Sequence, residues 1–301
     1  MASNPSQWIE IQPEVRAAIQ EGTPVVALES AVITHGLPRP INLELARRME
    51  SEIRNMKASP AIVAILAGTA RLGLNAEQIE LLALDERAVK VSRRDLGTVR
   101  AVGTSGGTTV AATMLIANAA GVRVFATGGI GGVHRGRGMD VSADLTELER
   151  TPVAVVCSGA KAILDLERTI EWLETAGVPV IGYGTDQFPG FYSRESGLPV
   201  SASVESPAEV ANILRAHWEL PHAGGVLICV PCPKDEALDR EEVRRALDEA
   251  EAEAHALRGA ELTPFLLSRM SELTGGRALG ANLALLRNNA RVAAEIAASV
   301  T

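Results

Sequence analysis

Three separated stretches carry residue types that can do chemistry together. Glu29 ends the apolar run Val25-Val26-Ala27-Leu28 and is followed by Ser30 and by Thr34-His35-Gly36. A carboxylate that closes a buried strand lies where α/β folds place proton-transfer groups. Lys161 closes the turn Ser158-Gly159-Ala160-Lys161 after a second apolar run, Val153 to Cys157. At the start of an expected helix it reads first as a solvated first-turn lysine. In a desolvated site, near the positive end of that helix, the ammonium form is disfavoured and the amine becomes a nucleophile. Lys90 interrupts a third run, Ala88 to Val91, ahead of Ser92-Arg93-Arg94-Asp95. Alone, such a lysine is expected to snorkel; beside other charges it points into a polar site.

The stretch Gly121 to Asp144, GVRVFATGGIGGVHRGRGMDVSAD, is the densest in polar function. A short β-branched run leads into Thr127-Gly128-Gly129-Ile130-Gly131-Gly132, where glycines permit φ > 0 and close backbone approach to a ligand. His134, Arg135 and Arg137 follow, then Asp140 and Asp144 around Ser142. Upstream, Thr104 to Val110 (TSGGTTV) opens an Ala-rich helix. Thr109 and the N–H groups at such a helix start favour an anion, phosphate above all. No Gly-Lys-Ser/Thr follows, so this is not a Walker motif. Asn288-Asn289 lies in the last helix, where a buried pair would hydrogen-bond a base and an exposed pair would be plain helix surface.

Positioning these residues requires an alternation of strands and helices. Helices are expected at Pro13 to Gln20, Asn42 to Lys57 with Asn42 as N-cap, Ala76 to Leu84, from Val110 to about Ala120, and from Lys161 to about Ala176. Further helices are expected at Pro207 to Trp218, Asp239 to Leu257, Thr263 to Leu273 and Ala278 to Ala298. Strands are expected at Val25 to Leu28, Pro60 to Leu66, Ala88 to Val91, Val122 to Phe125, Val153 to Cys157, Val178 to Tyr183, Pro199 to Val204 and Gly225 to Val230. Thr185 to Ser196 holds three of the six Phe and Tyr residues and suggests a lid or a subunit contact. With 301 residues and 47% hydrophobic content the chain can bury a large core, and 3% aromatics means that Ala, Val, Leu and Ile must fill it. No boundary or repeat divides it, so one domain is expected over 1–301, with residues 1–8 as a loose tail.

The net charge of −8 argues against a general nucleic-acid binder, and no apolar stretch approaches the ~18 residues of a membrane span. The N-terminus lacks the basic start and apolar run of a signal peptide, and three cysteines suggest a reducing compartment, so a cytoplasmic setting is expected. Cys229-x-x-Cys232 ends an apolar run without a second ligand pair. It reads as strand-end core rather than as a zinc or redox site.

Ala27-Leu28-Glu29-Ser30 with Thr34-His35-Gly36, Lys90 to Asp95, Gly107 to Val110, Phe125 to Gly136, Asp140 to Asp144, Gly159 to Lys161, Thr263 to Leu267 and Asn288-Asn289-Ala290 together resemble the pseudouridine-5′-phosphate glycosidases, the family that includes indigoidine-synthase-A-like proteins. The resemblance runs in order over nearly the whole chain. It implies a three-layer α/β/α fold with a large mixed sheet and a helical C-terminal region, a homotrimer, and one Mn²⁺ per subunit. The implied reaction cleaves, reversibly, the C–C glycosidic bond of pseudouridine 5′-phosphate to uracil and ribose 5-phosphate. Lys161 would be the nucleophile, Glu29 the proton donor and Asp140 the metal ligand. Lys90, Val110, Ser142, Ala143 and Asp144 would contact substrate, with Thr109, Thr127, His134 and Asn289 added from the same motifs. The loop Arg137-Gly138-Met139 is shorter than the family form.

The chemistry of a C–C bond agrees with that assignment. Two carboxylates suffice where an electronegative atom leaves, but carbon is no such leaving group. Linking C1′ of an opened ribose to an amine lets an imine act as electron sink, while an acid delivers the proton that uracil C5 must gain. A non-catalytic sugar-phosphate sensor would use the same anion sites without needing both lysines and Glu29. Another Schiff-base sugar-phosphate lyase would use Lys161 without releasing uracil.

Overall fold

The structure is a computed structural model and describes residues 8–136, 140–254 and 262–300. The strands are β1 (Ile9–Ile11), β2 (Val25–Leu28), β3 (Ser59–Leu66), β4 (Thr69–Leu72), β5 (Val89–Val91), β6 (Gly106–Thr108), β7 (Val124–Ala126), β8 (Val133–His134), β9 (Ala154–Cys157), β10 (Leu164–Asp165), β11 (Val180–Tyr183), β12 (Ala202–Val204) and β13 (Val226–Cys229). The helices are α1 (Pro13–Glu21), α2 (Ile41–Asn55), α3 (Ala76–Leu84), α4 (Leu96–Val102), α5 (Val110–Ala119), α6 (Ala143–Arg150), α7 (Leu166–Thr175), α8 (Pro207–Trp218), α9 (Arg240–Glu253), α10 (Leu262–Leu273) and α11 (Arg277–Val300).

Among the described residues one large sheet runs in the order β1-β4-β3-β2-β7-β9-β13-β11-β12, with β6 joining β3 to β5. From β3 to β12 the neighbours are parallel, whereas β4 and β6 run antiparallel to β3. The central strands β9 and β13 are buried at every residue, as parallel strands covered on both faces must be. That explains why they read as unbroken runs such as AVVC and VLIC. Helices α2, α8 and α11 pack together on one face, and α5 with α6 lie on the other, giving three layers. The chain moves from β2 to β3 on one side and occupies β7 and β9 on the other. The strand order therefore reverses between β2 and β7, and the carboxyl ends of strands at such a reversal frame a crevice.

Several expected elements need correction. Asn42 is not an N-cap; it is buried inside the first turn of α2, where its amide donates to Ile33 O and Ala83 O. The helix after Lys161 begins only at Leu166, capped by Asp165, whose side chain accepts from Arg168 N–H. Lys161 thus gains no helix-dipole influence of the kind expected. The aromatic cluster packs inward: Phe188, Phe191 and Tyr192 are all buried, and Phe191 and Tyr192 meet edge-to-face with centroids 4.8 Å apart. The three cysteines are free and buried, as strand-end core requires. Asp140 borders residues 137–139, and that short loop lies outside the described residues, as do the expected tail residues 1–7.

Candidate active site

Glu29, Lys90 and Lys161 converge on one cleft of about 520 Å³. Glu29 leaves the end of β2 and Lys161 follows β9. Thr127 leaves β7 between them and donates its hydroxyl to Glu29 Oε1 across the strand reversal. The β7–β9 pairing continues beyond the strands: Thr127 N–H donates to Val156 O at 3.0 Å and Ser158 N–H to Gly128 O at 2.8 Å. Farther on, Ile130 bridges Ala160, and Lys161 N–H donates to Ile130 O at 3.1 Å. The Lys161 backbone is therefore tied to the glycine loop. Lys90 comes from the edge strand β5. The turn after it is anchored by Arg93, whose guanidinium donates to the buried Glu147 at 2.5 Å on α6.

The glycine loop needs its glycines for a reason other than the expected one. None of Gly128, Gly129, Gly131 and Gly132 has a positive φ. A Cβ on Gly129 would lie 2.8 Å from the Phe191 ring, and one on Gly131 would lie 2.3 Å from Ser142 Oγ. Close approach, not left-handed backbone, excludes side chains there. Phe191 itself holds φ of 65°, a strained conformation for a bulky residue, and it faces the cleft.

Burial raises the pKa of Glu29; the charges of Lys161 and Lys90 and the Thr127 hydrogen bond oppose that rise only in part. Burial likewise lowers Lys90, helped by the charge of Lys161 and opposed by Glu29 and Asp144. His35, from a short wide helical turn at Val32–Gly36, is lowered by burial and then by Lys90. A carboxyl raised by burial beside a lysine lowered by burial is the electrostatic pattern of a proton-transfer site.

Other expected site residues stand around this cleft rather than on its wall. Asp144 is buried and its carboxylate accepts from Ala111 N–H at 2.9 Å and Gly131 N–H at 2.8 Å, joining the α5 start to the glycine loop. Thr109 caps α5 by accepting from Ala112 N–H, and Ser142 caps α6 by accepting from Asp144 N–H at 3.2 Å. The Val110 side chain lies in the core, so its only route to a ligand is its backbone. Ala143 opens α6. His134 pairs with Leu164 in the small β8–β10 ribbon, and its N–H donates to Asp140 O at 2.9 Å. Asp140 is exposed.

Asn289 requires the largest correction. It is wholly buried beneath the loops, and its amide donates to Thr127 O at 2.9 Å and Ser158 Oγ at 3.1 Å. It holds the acid's neighbour and the lysine loop together instead of meeting a base. Asn289→Ala should therefore destabilise the protein by about 1–3 kcal/mol, the cost of stranding buried polar groups, read as a lower urea midpoint at unchanged slope. Sequence reasoning missed His35, Phe191 and Asn282 as cleft residues. His35 stood in a motif already singled out and Phe191 in the aromatic cluster of Thr185 to Ser196; Asn282 carried no local signal.

Fold and site together define an α/β enzyme with a lysine–carboxylate centre at the strand reversal of its sheet. The chain belongs to the indigoidine synthase A like protein family, whose model matches residues 14–299. It is 51% identical over 296 residues to a pseudouridine-5′-phosphate glycosidase of Caldanaerobacter subterraneus, covering 97% of this chain and 96% of that one. It is 53% identical over 293 residues to the enzyme of the same name from Solibacter usitatus, covering 96% and 98%. Among solved structures, an indigoidine synthase A-like protein of Thermotoga maritima superposes with a TM-score of 0.89 at 40% identity, over 96% of this chain and 95% of that one. The prealnumycin C-glycosynthase AlnA, in complex with ribulose 5-phosphate, superposes with a TM-score of 0.91 at 40% identity, over 98% of both chains.

Proposed function

We propose that the protein cleaves the C–C glycosidic bond of pseudouridine 5′-phosphate, reversibly, to uracil and ribose 5-phosphate. The observation that carries this is the convergence of Glu29, Lys161 and Lys90 on one cleft, in a chain about half identical to enzymes of that name. The likeness to a C-glycosynthase supports chemistry at a sugar carbon bonded to carbon. A direct test incubates the purified protein with pseudouridine 5′-phosphate and follows uracil by chromatography. No uracil with active metal present would reject the proposal.

In this mechanism the Lys161 amine forms a bond to C1′ as the C1′–O4′ bond opens and O4′ takes a proton. Glu29, whose pKa burial raises, delivers a proton to uracil C5. The nitrogen lone pair then forms the imine as the C1′–C5 bond breaks, and its electrons restore the uracil double bond. Water hydrolyses the imine, releasing ribose 5-phosphate and the lysine. Lys90 meets the phosphate charge as a point cation. The Asp144 carboxylate already occupies part of the α5 start, so it organises the donors around the phosphate rather than leaving that helix end to the phosphate alone.

Mn²⁺ belongs to the same proposal. Among the described residues no three His, Cys, Asp or Glu side chains converge as a metal cage. Asp140 alone is a hard oxygen donor, which fits a Mn²⁺ ion whose other positions are water. Such an ion would supply local positive charge and ordered water near the polar ribbon. Chelation should lower turnover and added Mn²⁺ restore it, and Asp140→Ala should abolish the restoration; full activity after chelation would remove the metal from the proposal. A homotrimer in the cytoplasm completes it, and sedimentation equilibrium would test the assembly. Among the described residues no helix is long and apolar enough to cross a membrane.

A further inference from the structure

Strands β2 and β6 share one edge of β3 without pairing with each other. β2 runs alongside β3 as far as Leu28 opposite Ile62, and β6 takes over at Gly107 opposite Ala64. Val63 is the single residue between the two ladders, so neither strand's backbone serves its buried carbonyl on that edge. Two hydroxyls fill the gap: Ser30 Oγ donates to Val63 O at 2.6 Å and Thr108 Oγ1 donates to it at 2.7 Å. A carbonyl only accepts, so both hydroxyl protons are committed to it. Ser30 Oγ in turn accepts from Thr108 N–H at 3.0 Å, and Thr108 Oγ1 accepts from Thr113 Oγ1 at 2.9 Å. All three side chains are wholly buried.

This junction ties two parts of the cleft together. Ser30 directly follows Glu29, and Thr108 directly follows Gly107, the register partner of Lys90. Among the described residues β5 pairs with β6 alone, and β6 holds β3 through two residue pairs. Lys90 is therefore carried on a narrow edge that needs a further anchor. That edge has no slack against the end of β2, since a Cβ on Gly107 would lie 2.7 Å from Ser30 O. Resting on the function proposed above, in which Lys90 meets the substrate phosphate, we infer that Thr108 is a positioning residue. Its hydroxyl, locked with Ser30 on the Val63 carbonyl, sets Lys90 in register with Glu29. Thr108 does not line the cleft, so it acts through Lys90.

A double-mutant cycle separates positioning from plain stability. Ribose 5-phosphate affinity is measured by calorimetry for the wild type, Thr108→Val, Lys90→Ala and the double variant. Valine keeps nearly the same shape without the hydroxyl. Lys90→Ala should weaken binding about 10- to 100-fold, the size of a lost contact to a charged group. Thr108→Val should weaken it about 10-fold when Lys90 is present, and by less than about 2-fold when Lys90 is already alanine. Thr108→Ser, which keeps the hydroxyl, should bind as the wild type does. Equal losses in both backgrounds would mark a merely structural threonine and overturn the assignment; so would wild-type affinity in Thr108→Val or in Lys90→Ala. If Thr108→Val does not fold, Ser30→Ala removes the other hydroxyl on Val63 O and the same cycle decides. Uracil release from pseudouridine 5′-phosphate by the wild type is assayed separately. Its absence beside a coupled cycle would reject the glycosidase function and leave Thr108 as the residue that positions Lys90, whereas a wild type that binds no ribose 5-phosphate would overturn both.

Discussion

Lys161→Ala and Lys161→Arg should both fold and bind pseudouridine 5′-phosphate, yet release uracil at least about 10⁴-fold more slowly than the wild type. Removing a covalent nucleophile costs on that order, and guanidinium cannot replace the amine because it stays protonated. Two lysines face the cleft, so the position of the adduct is the sharper measurement. Lys161 follows β9 beside the strand reversal, and its charge acts on Glu29 more strongly than that of Lys90. Borohydride reduction of the wild type with ribose 5-phosphate, followed by peptide mass spectrometry, should place the added mass on the Lys161 peptide. Finding it on Lys90, or finding Lys161→Ala active, would exchange the two roles. The same trapping excludes a non-catalytic sugar-phosphate sensor, while uracil release excludes a lyase of different substrate.

Glu29→Gln should lose about 10²-fold or more in turnover, the usual size of a general acid–base contribution, with substrate affinity kept. Its effect on stability should have the opposite sign. Burial raises the pKa of Glu29 in the folded protein above its unfolded value. The folded state then binds this proton more tightly than the unfolded chain, so stability falls as pH rises from the unfolded pKa through the folded one. Glutamine carries no such penalty. The variant should melt higher than the wild type at pH 8, and the difference should shrink towards pH 4, where both states are protonated. A chain this long shifts by a few degrees, about 2–4 °C, per kcal/mol. The wild-type rate should also fall as pH rises past the Glu29 pKa, and that limb should vanish in the variant. A variant that melts lower at pH 8 would mean that Glu29 is held ionised by its lysines.

These two residues were legible in the sequence because strand ends in α/β proteins are marked locally. An apolar run that stops at Glu29, and another followed by Ser158-Gly159-Ala160-Lys161, need no knowledge of the tertiary fold. The apolar run Val25–Leu28 and the helical stretches Ala76–Leu84 and Pro207–Trp218 were legible at their observed bounds, and the structure closes those two helix starts with capping boxes at Asn75 and Ser206. Short strands such as Thr69–Leu72 and Gly106–Thr108 escaped, since three or four residues hold no periodicity and their pairing with β3 is long-range.

The sequence by itself determined the class of fold, the strand-end carboxylate and lysine, the glycine loop and the family. Each is written in contiguous residues whose meaning is set by backbone propensity or chain order. Only the tertiary structure decided which groups meet. It brought Lys90 from an edge strand into the cleft with Lys161, and it turned the helix-start account of Lys161 into a loop held by Ile130. It also separated two asparagines that sequence cannot rank. Asn282 and Asn289 share a helix face, but the loops after β7 and β9 close over one and the cleft opens beside the other. Which amide the loops hold depends on contacts more than a hundred residues apart in the chain, and local sequence carries no record of them.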